Sequence, residues 1–314
     1  SITKIRELFS LPNVHYANFS YIRFRKTFIN FLCFRTKSST FVNMEFRTIV
    51  NVPKPPFEIA PCERVLFVGS CFANNIGAKF VDWKFRTLVN PFGVMYNPAS
   101  ILHTIERRSE IFDTAFITLG TNHVYIEKAT RNIVDNCNKR PQRLFDEQEL
   151  SIADCKNYLS RAIDLLRERN HNVKIIFTVS PIRYAKYGFH ESQLSKATLL
   201  LAVHEVMAEY TDSNVAYFPA YEIVNDELRD YRFYKSDMLH PNEQAVEYIW
   251  ERLVDVYFSA SAKEFLRDWK PVKEALSHHP FNPDGNEYKE FMARTIERAR
   301  LLKQKYDNLI VEDQ

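Results

Sequence analysis

Glycine is scarce in this chain, with only six in 314 residues. Neither a Walker loop nor G-x-G-x-x-G follows the first strand-like run, where Gly69 and Gly77 stand eight residues apart, so a dinucleotide- or phosphate-cradling loop is not expected. Cysteine is also sparse: Cys33, Cys62, Cys71, Cys137 and Cys155 are odd in number and have no paired spacing. That pattern argues against a disulfide framework and for free thiols in a reducing compartment, so a cytoplasmic location is expected. No apolar run reaches the length of a membrane span, and the patch from Phe28 to Phe34 is interrupted by Asn30 and stopped by Arg35. His278 and His279 lack acidic or Cys partners at ligand spacing, so no metal site and no cofactor is expected.

Excess charge of one sign is missing from most of the chain. Residues 1–43 hold seven basic residues against one acidic, Glu7, which leaves 35 basic and 38 acidic residues in the remainder. Nucleic-acid binding by the main domain is therefore not indicated. Residues 1–43 read as a basic leader, disordered or translated from upstream of Met44. A basic arm for a membrane surface or nucleic acid is the rival reading.

With 46% apolar residues, the chain can bury a sizeable core. After a proline-rich approach (Pro53, Pro55, Pro56, Pro61), strand-like runs at 64–68, 85–90, 115–119, 173–179 and 215–218 alternate with helical patterns at 74–82, 98–107, 151–169, 191–210 and 241–257. Such alternation predicts a parallel sheet covered by helices on both faces, with Pro98 and Pro241 in first turns. Residues 44–260 form that domain. Residues 261–314 are expected to add a loop and a charged helix at about 286–306, packing through Phe291, Ile296, Ala299 and Leu302.

Three of the six glycines sit at turns after apolar runs: Gly69, Gly93 and Gly120. The first turn delivers Ser70 and Cys71 to a helix start, where unpaired N–H groups face any developing negative charge. Downstream, His240 is a candidate general base and Asp237, three residues earlier, can fix its tautomer, although an Asp before a helix is also a common cap. A thiolate at Cys71 can attack an acyl carbon and form a thioester. A one-residue shift of the turn would give that role to Ser70, and Cys71 could instead merely fill a small buried site.

The ordered set G-S-C, G, G-x-N and D-x-x-H resembles the SGNH hydrolase superfamily, whose blocks G-D-S, G, G-x-N-D and D-x-x-H occur in that order. Within it, G-S-C-F-A, T-L-G-T, Asn136-Cys137-Asn138-Lys139, S-P-I-R and Q-L-S-K-A-T look like the GSCFA family. The likeness covers roughly residues 44–258. It implies a flavodoxin-like, three-layer α/β fold with a five-stranded parallel sheet. It also implies an esterase or acyltransferase acting on a small acyl ester, on the analogy of sugar and cell-wall precursors, with a non-catalytic binding descendant as the alternative.

By the same resemblance Cys71 stands where the superfamily keeps its nucleophilic Ser, and the oxyanion donors are the N–H groups of Cys71 and Gly93 and the Asn122 amide. His123 replaces the superfamily's Asp and offers a second, lower-ranked base or donor. Asn136, Lys139, Arg183, Ser195 and Lys196 are candidates for shaping the pocket of a small-molecule acyl donor or acceptor. Arg183 suits a carboxylate or phosphate, or equally a surface salt bridge, while the bland reading of Ser195 and Lys196 is helix capping and solvation.

Overall fold

Strand β1 (Arg64–Gly69) enters as an apolar run that is buried from Val65 onward, and it turns at Gly69 directly into helix α1 (Cys71–Asp82). Then follow β2 (Arg86–Val89), α2 (Pro98–Glu106) and β3 (Thr114–Leu119). The computed structural model describes residues 46–137, 140–211, 214–282 and 284–310. The expected leader therefore lies outside the described residues.

After β3 the chain makes a three-stranded antiparallel sheet, β4 (His123–Glu127), β5 (Ile133–Val134) and β6 (Phe145–Glu149), in the order β5-β4-β6. Helix α3 (Ile152–Arg169) returns to the main sheet, opened by a capping box in which Ser151 and Asp154 satisfy each other's backbone N–H. Strand β7 (Lys174–Val179), helix α4 (Phe189–Glu209) and strand β8 (Val215–Tyr217) complete the core. The main sheet runs β2-β1-β3-β7-β8, all parallel, which is the doubly wound, flavodoxin-like order. Helices α5 (Glu243–Tyr257), α6 (Ala260–Leu276) and α7 (Asn286–Lys305) follow.

Because both faces of a parallel sheet are covered, its strands read as continuous apolar runs whose alternate residues feed two cores. Phe67, Phe116, Ile176 and Ala216 pack with α1, α5 and α6, whereas Leu66, Ala115, Ile117 and Phe177 pack with α2, α3 and α4. In the first core Phe67 stacks on Phe116 at 4.5 Å, and Phe80 meets both Trp250 and Phe258 edge-on or tilted. Among the described residues, no helix is long and apolar enough to cross a membrane.

Four details correct the sequence reading. Helix α1 begins at Cys71, three residues before the expected start, because Ser70 supplies the cap and accepts from the Phe72 N–H. Pro241 is not in a first turn; it forms an isolated bridge with Tyr234, and Asn242 caps α5. The tail holds two helices where one was expected, α6 preceding the loop, with Phe265, Leu266 and Trp269 buried and Pro271 inside it. In α7, Ala299 and Leu302 are buried, but Ile296 is exposed and Thr295 takes the inward position.

Candidate active site

At the carboxyl edge of the sheet, the Gly69-Ser70-Cys71 turn is fixed from three sides. The Ser70 N–H donates to the Thr118 carbonyl at 3.0 Å and to its Oγ1 at 2.9 Å. The Gly69 N–H donates to Asn90 Oδ1 at 2.9 Å, and the Gly69 carbonyl accepts from the Met95 N–H at 2.9 Å. Gly69 has φ +135°, and a Cβ there would lie 2.0 Å from the Thr118 carbonyl oxygen. Only glycine permits β1 and β3 to approach this closely before the turn.

The two candidate nucleophiles are treated differently by this turn. Ser70 is buried, and its Oγ accepts from the Phe72 N–H at 3.2 Å and bonds Thr118 Oγ1 at 3.1 Å. Its oxygen is committed to capping the helix. Cys71 is half-buried at the first helical position, where the backbone N–H has no intrahelical acceptor, and its Sγ lies 3.6 Å from the Tyr96 hydroxyl. Burial, reinforced by the bond to Cys71, raises the Tyr96 pKa well above that of an ordinary phenol, so the hydroxyl keeps its proton.

His240 and Asp237 stand on the loop before α5. Asp237 Oδ2 pairs with His240 Nδ1 at 2.7 Å, and its Oδ1 accepts from the N–H groups of Leu239 at 2.8 Å and His240 at 3.0 Å. Carboxylate and imidazole are thus held together by their own turn, which places Met238 at φ +57°. These bonds, led by that from the His240 backbone, hold the Asp237 carboxyl down to about 2. In the unfolded chain it titrates near the usual ~3.9. Asp237 therefore stabilises the fold fully above about pH 4 and loses that contribution as pH falls toward 2. The expected result is that the stability difference between wild type and Asp237→Asn, followed by urea unfolding from pH 5 downward, narrows across that window; a constant difference would contradict the bonded carboxylate.

Arg183, just past β7, grips this loop. Its N–H donates to the Leu239 carbonyl and its guanidinium to the Met238 carbonyl, both at 3.0 Å. The same guanidinium lies over Phe189 at 4.2 Å and near Tyr231 and Tyr234. Lys196, read from sequence as a capping or solvated residue or a pocket contact, is fully buried in α4. Its Nζ donates to the carbonyls of Gly120 at 2.7 Å and Ser180 at 2.8 Å, tying together the ends of β3 and β7. Burial pushes the amine down to about 7.

Ser70, Cys71, His240, Arg183 and Lys196 all line one cavity of about 220 Å³, whose remaining wall includes Tyr96, Ile182, Tyr184 and Leu239. The other candidates lie elsewhere. The Gly93 N–H donates to the Asn90 carbonyl at 2.8 Å, closing its own turn. The Asn122 amide donates to the Leu150 carbonyl at 2.9 Å, while the Asn122 N–H is held by Ser195 Oγ at 3.0 Å. Neither Gly93, Asn122 nor Ser195 is among the lining residues. Asn136 follows β5 on the inserted sheet, and Lys139 falls outside the described residues. His123 stacks on Tyr187 at 3.9 Å, and burial lowers its pKa.

Sequence reasoning missed Tyr96 and Tyr184. The signal available for Tyr96 was its place beside Asn97-Pro98, a cap and first-turn pair that fixes its carbonyl between the Gly120 and Thr121 N–H groups. Among the described residues no group of three or more His, Cys, Asp or Glu is placed to hold a metal ion.

A sequence model described as the GSCFA family matches residues 64–112 and 107–253, and one described as the GSCFA domain protein, C-terminal domain, matches 269–314. The search of curated proteins found no match. Similar solved structures include a GDSL-like lipase from Bacteroides thetaiotaomicron VPI-5482, 14% identical, covering 62% of this chain and 86% of that one with a TM-score of 0.40. A member of the lipolytic protein G-D-S-L family from Veillonella parvula DSM 2008 is 13% identical over 62% and 97% of the two chains, with a TM-score of 0.41. A carbohydrate esterase family 3 protein from Talaromyces cellulolyticus is 11% identical over 66% and 99%, with a TM-score of 0.37. No chemical inference follows from likeness at this level.

Proposed function

This chain belongs to the GSCFA family, and on that premise we propose that it is an SGNH-like esterase of the cytoplasm that cleaves a small acyl ester through Cys71. The observation that carries the reading is that Cys71 and His240, far apart in sequence, line one cavity while Asp237 holds the His240 ring by Nδ1. With Nδ1 engaged, Nε2 is the nitrogen left to exchange a proton.

In this mechanism His240 takes the Sγ proton, and the thiolate attacks the acyl carbon to give a tetrahedral oxyanion. Collapse breaks the ester bond, and His240 returns the proton to the departing alkoxide, leaving a thioester on Cys71. Water then attacks the thioester; His240 takes a proton from the water and gives it to the departing thiolate, restoring the thiol and releasing the acid. An alcohol in place of water would make the same intermediate an acyl transferase, and product analysis with added alcohol separates the two. Gly93 and Asn122 are bonded elsewhere, so the donors we assign to the oxyanion are the Cys71 N–H and the Tyr96 hydroxyl. The apolar walls from Ile182, Leu239 and Tyr184 suit the hydrocarbon part of the acyl group.

Selective alkylation tests the thiol before any substrate is known. Burial raises Cys62 to about 11 and Cys155 to about 12, and it also raises Cys137. Peptide mapping after brief iodoacetamide treatment at neutral pH is expected to find Cys71 modified ahead of these three, and His240→Ala to slow that reaction. Labelling of Cys71 no faster than Cys62 in the native protein would remove the thiolate mechanism.

A further inference from the structure

The reaction cavity is apolar in its walls but one-sided in its charges. Arg183, Lys186 and Lys196 line it together with His240, and among the described residues no Asp or Glu does. Lys186 is offset by Glu147, whose carboxylate lies 3.2 Å from its Nζ. Arg183 is held by a backbone carbonyl and aromatic faces, which orient a guanidinium without cancelling its charge. Lys196 is more unusual, being buried with two backbone carbonyls as its hydrogen-bond partners, the Tyr221 ring 6.0 Å from its Nζ, and no carboxylate paired with it among the described residues.

A buried ammonium with no counter-charge is costly, which is why burial pushes this amine down to about 7; when it carries its extra proton it has three donors, of which two are spent here. Capping and solvation, the reading suggested by its place near a helix start, do not account for this residue, because Lys196 is buried and meets the cavity, not the outer surface. The staple between the ends of β3 and β7 uses two donors, which the neutral amine already supplies, so the added proton is what the cavity can exploit. An anion arriving from the cavity would favour the protonated amine and take its third donor.

We propose that the substrate carries a negatively charged group, a carboxylate or a phosphate, which Lys196 receives beside Cys71, with Arg183 adding to the field. The proposal rests on the esterase reading for the word substrate, and it narrows that reading from acyl esters in general to anionic ones. The apolar walls take the hydrocarbon part while the cationic side selects the charge.

Two alkylating reagents of nearly equal size read the field at Cys71 without any ester: iodoacetate, which is anionic, and iodoacetamide, which is neutral. Each forms an Sγ–C bond and expels iodide, so the ratio of their rates removes differences in thiol access. The expected ratio of iodoacetate to iodoacetamide at Cys71 in the native protein is about five- to tenfold above that of the same cysteine in the denatured chain. It falls in high salt and in Lys196→Met. A native ratio at or below the denatured one overturns the proposal, and a high ratio unchanged in Lys196→Met overturns the assignment to Lys196.

Melting temperature of the wild-type protein gives a second reading that needs neither the thiol nor the variant to fold. Glutarate or inorganic phosphate should stabilise the protein while glutaramide does not, and the better of the two anions identifies the source of the charge. Equal effects of glutarate, phosphate and glutaramide would also overturn the proposal. Ester turnover enters neither measurement. A high ratio without hydrolysis of any ester therefore refutes the esterase reading alone, whereas active hydrolysis with an ordinary thiol ratio refutes the anion preference alone.

Discussion

Cys71→Ala and His240→Ala are each expected to lower ester turnover by about 10³-fold or more, with the double variant little worse than either single one. The non-additivity is the informative part, because a nucleophile and the base that serves it act as one unit. Asp237→Asn should also be severe, since an amide in place of the carboxylate can leave the His240 ring with the wrong nitrogen protonated, a change worth up to about 10⁴-fold in a comparable arrangement. Ser70→Ala discriminates between the two candidate nucleophiles. Its Oγ caps α1 and bonds Thr118, so its loss should cost about 0.5–2 kcal/mol of stability and far less turnover than loss of Cys71. Steady-state kinetics on one ester with all four variants decides the matter, and an inactive Ser70→Ala beside an active Cys71→Ala would transfer the role to Ser70.

Gly69→Ala should be the most destabilising single substitution in the turn, by about 4 kcal/mol or more. A methyl group there would meet the Thr118 carbonyl oxygen at 2.0 Å and Thr118 Oγ1 at 2.6 Å, and φ +135° already strains any residue with a Cβ. Relief requires β1 and β3 to separate, which breaks the two bonds from the Ser70 N–H to Thr118 and loosens the turn carrying Cys71. Against a typical domain stability of about 5–15 kcal/mol, that is a quarter or more of the total. Gly93→Ala is the control. It also has positive φ, at +92°, but nothing lies within 4 Å of the added methyl, so only the backbone strain of about 1–2 kcal/mol remains. Urea unfolding of the two variants should show that gap, and similar values for both would mean that the contact at Thr118 is not what holds Gly69 in place.

The positions of the central strands β1, β3 and β7 could be read from the sequence because they are buried on both faces and so appear as largely apolar runs, while the edge strands β2 and β8 are shorter and only partly buried. The inserted sheet could not. Strands β4, β5 and β6 are short, and β6 reads Phe-Asp-Glu-Gln-Glu, a charged stretch held by pairing with β4 and not by burial of its own side chains. Helix α6 carries the helical period in Phe265, Leu266, Trp269 and Val272, with Pro271 inside it, and was not named from the sequence. The helical pattern at 74–82 missed the first turn of α1, which Ser70 caps at the helix start that the Gly69 turn implied.

By itself the sequence determined the order of the turns, the residue types offered at each, and the local Asp237–His240 pair, since three residues of chain fix that contact. Only the tertiary structure decided which of those residues share a cavity. Crossover connections bring the ends of β1, β3 and β7 to one edge, so Cys71, Tyr96, Lys196 and His240 converge there from four separate segments. The same folding turns the Asn122 amide toward Leu150 and closes Gly93 on Asn90. Burial of Lys196 is likewise a property of the assembled sheet edge: a lysine near a helix start is a solvent-facing residue in sequence, and becomes a buried amine only when the carbonyls of two distant strand ends close over it.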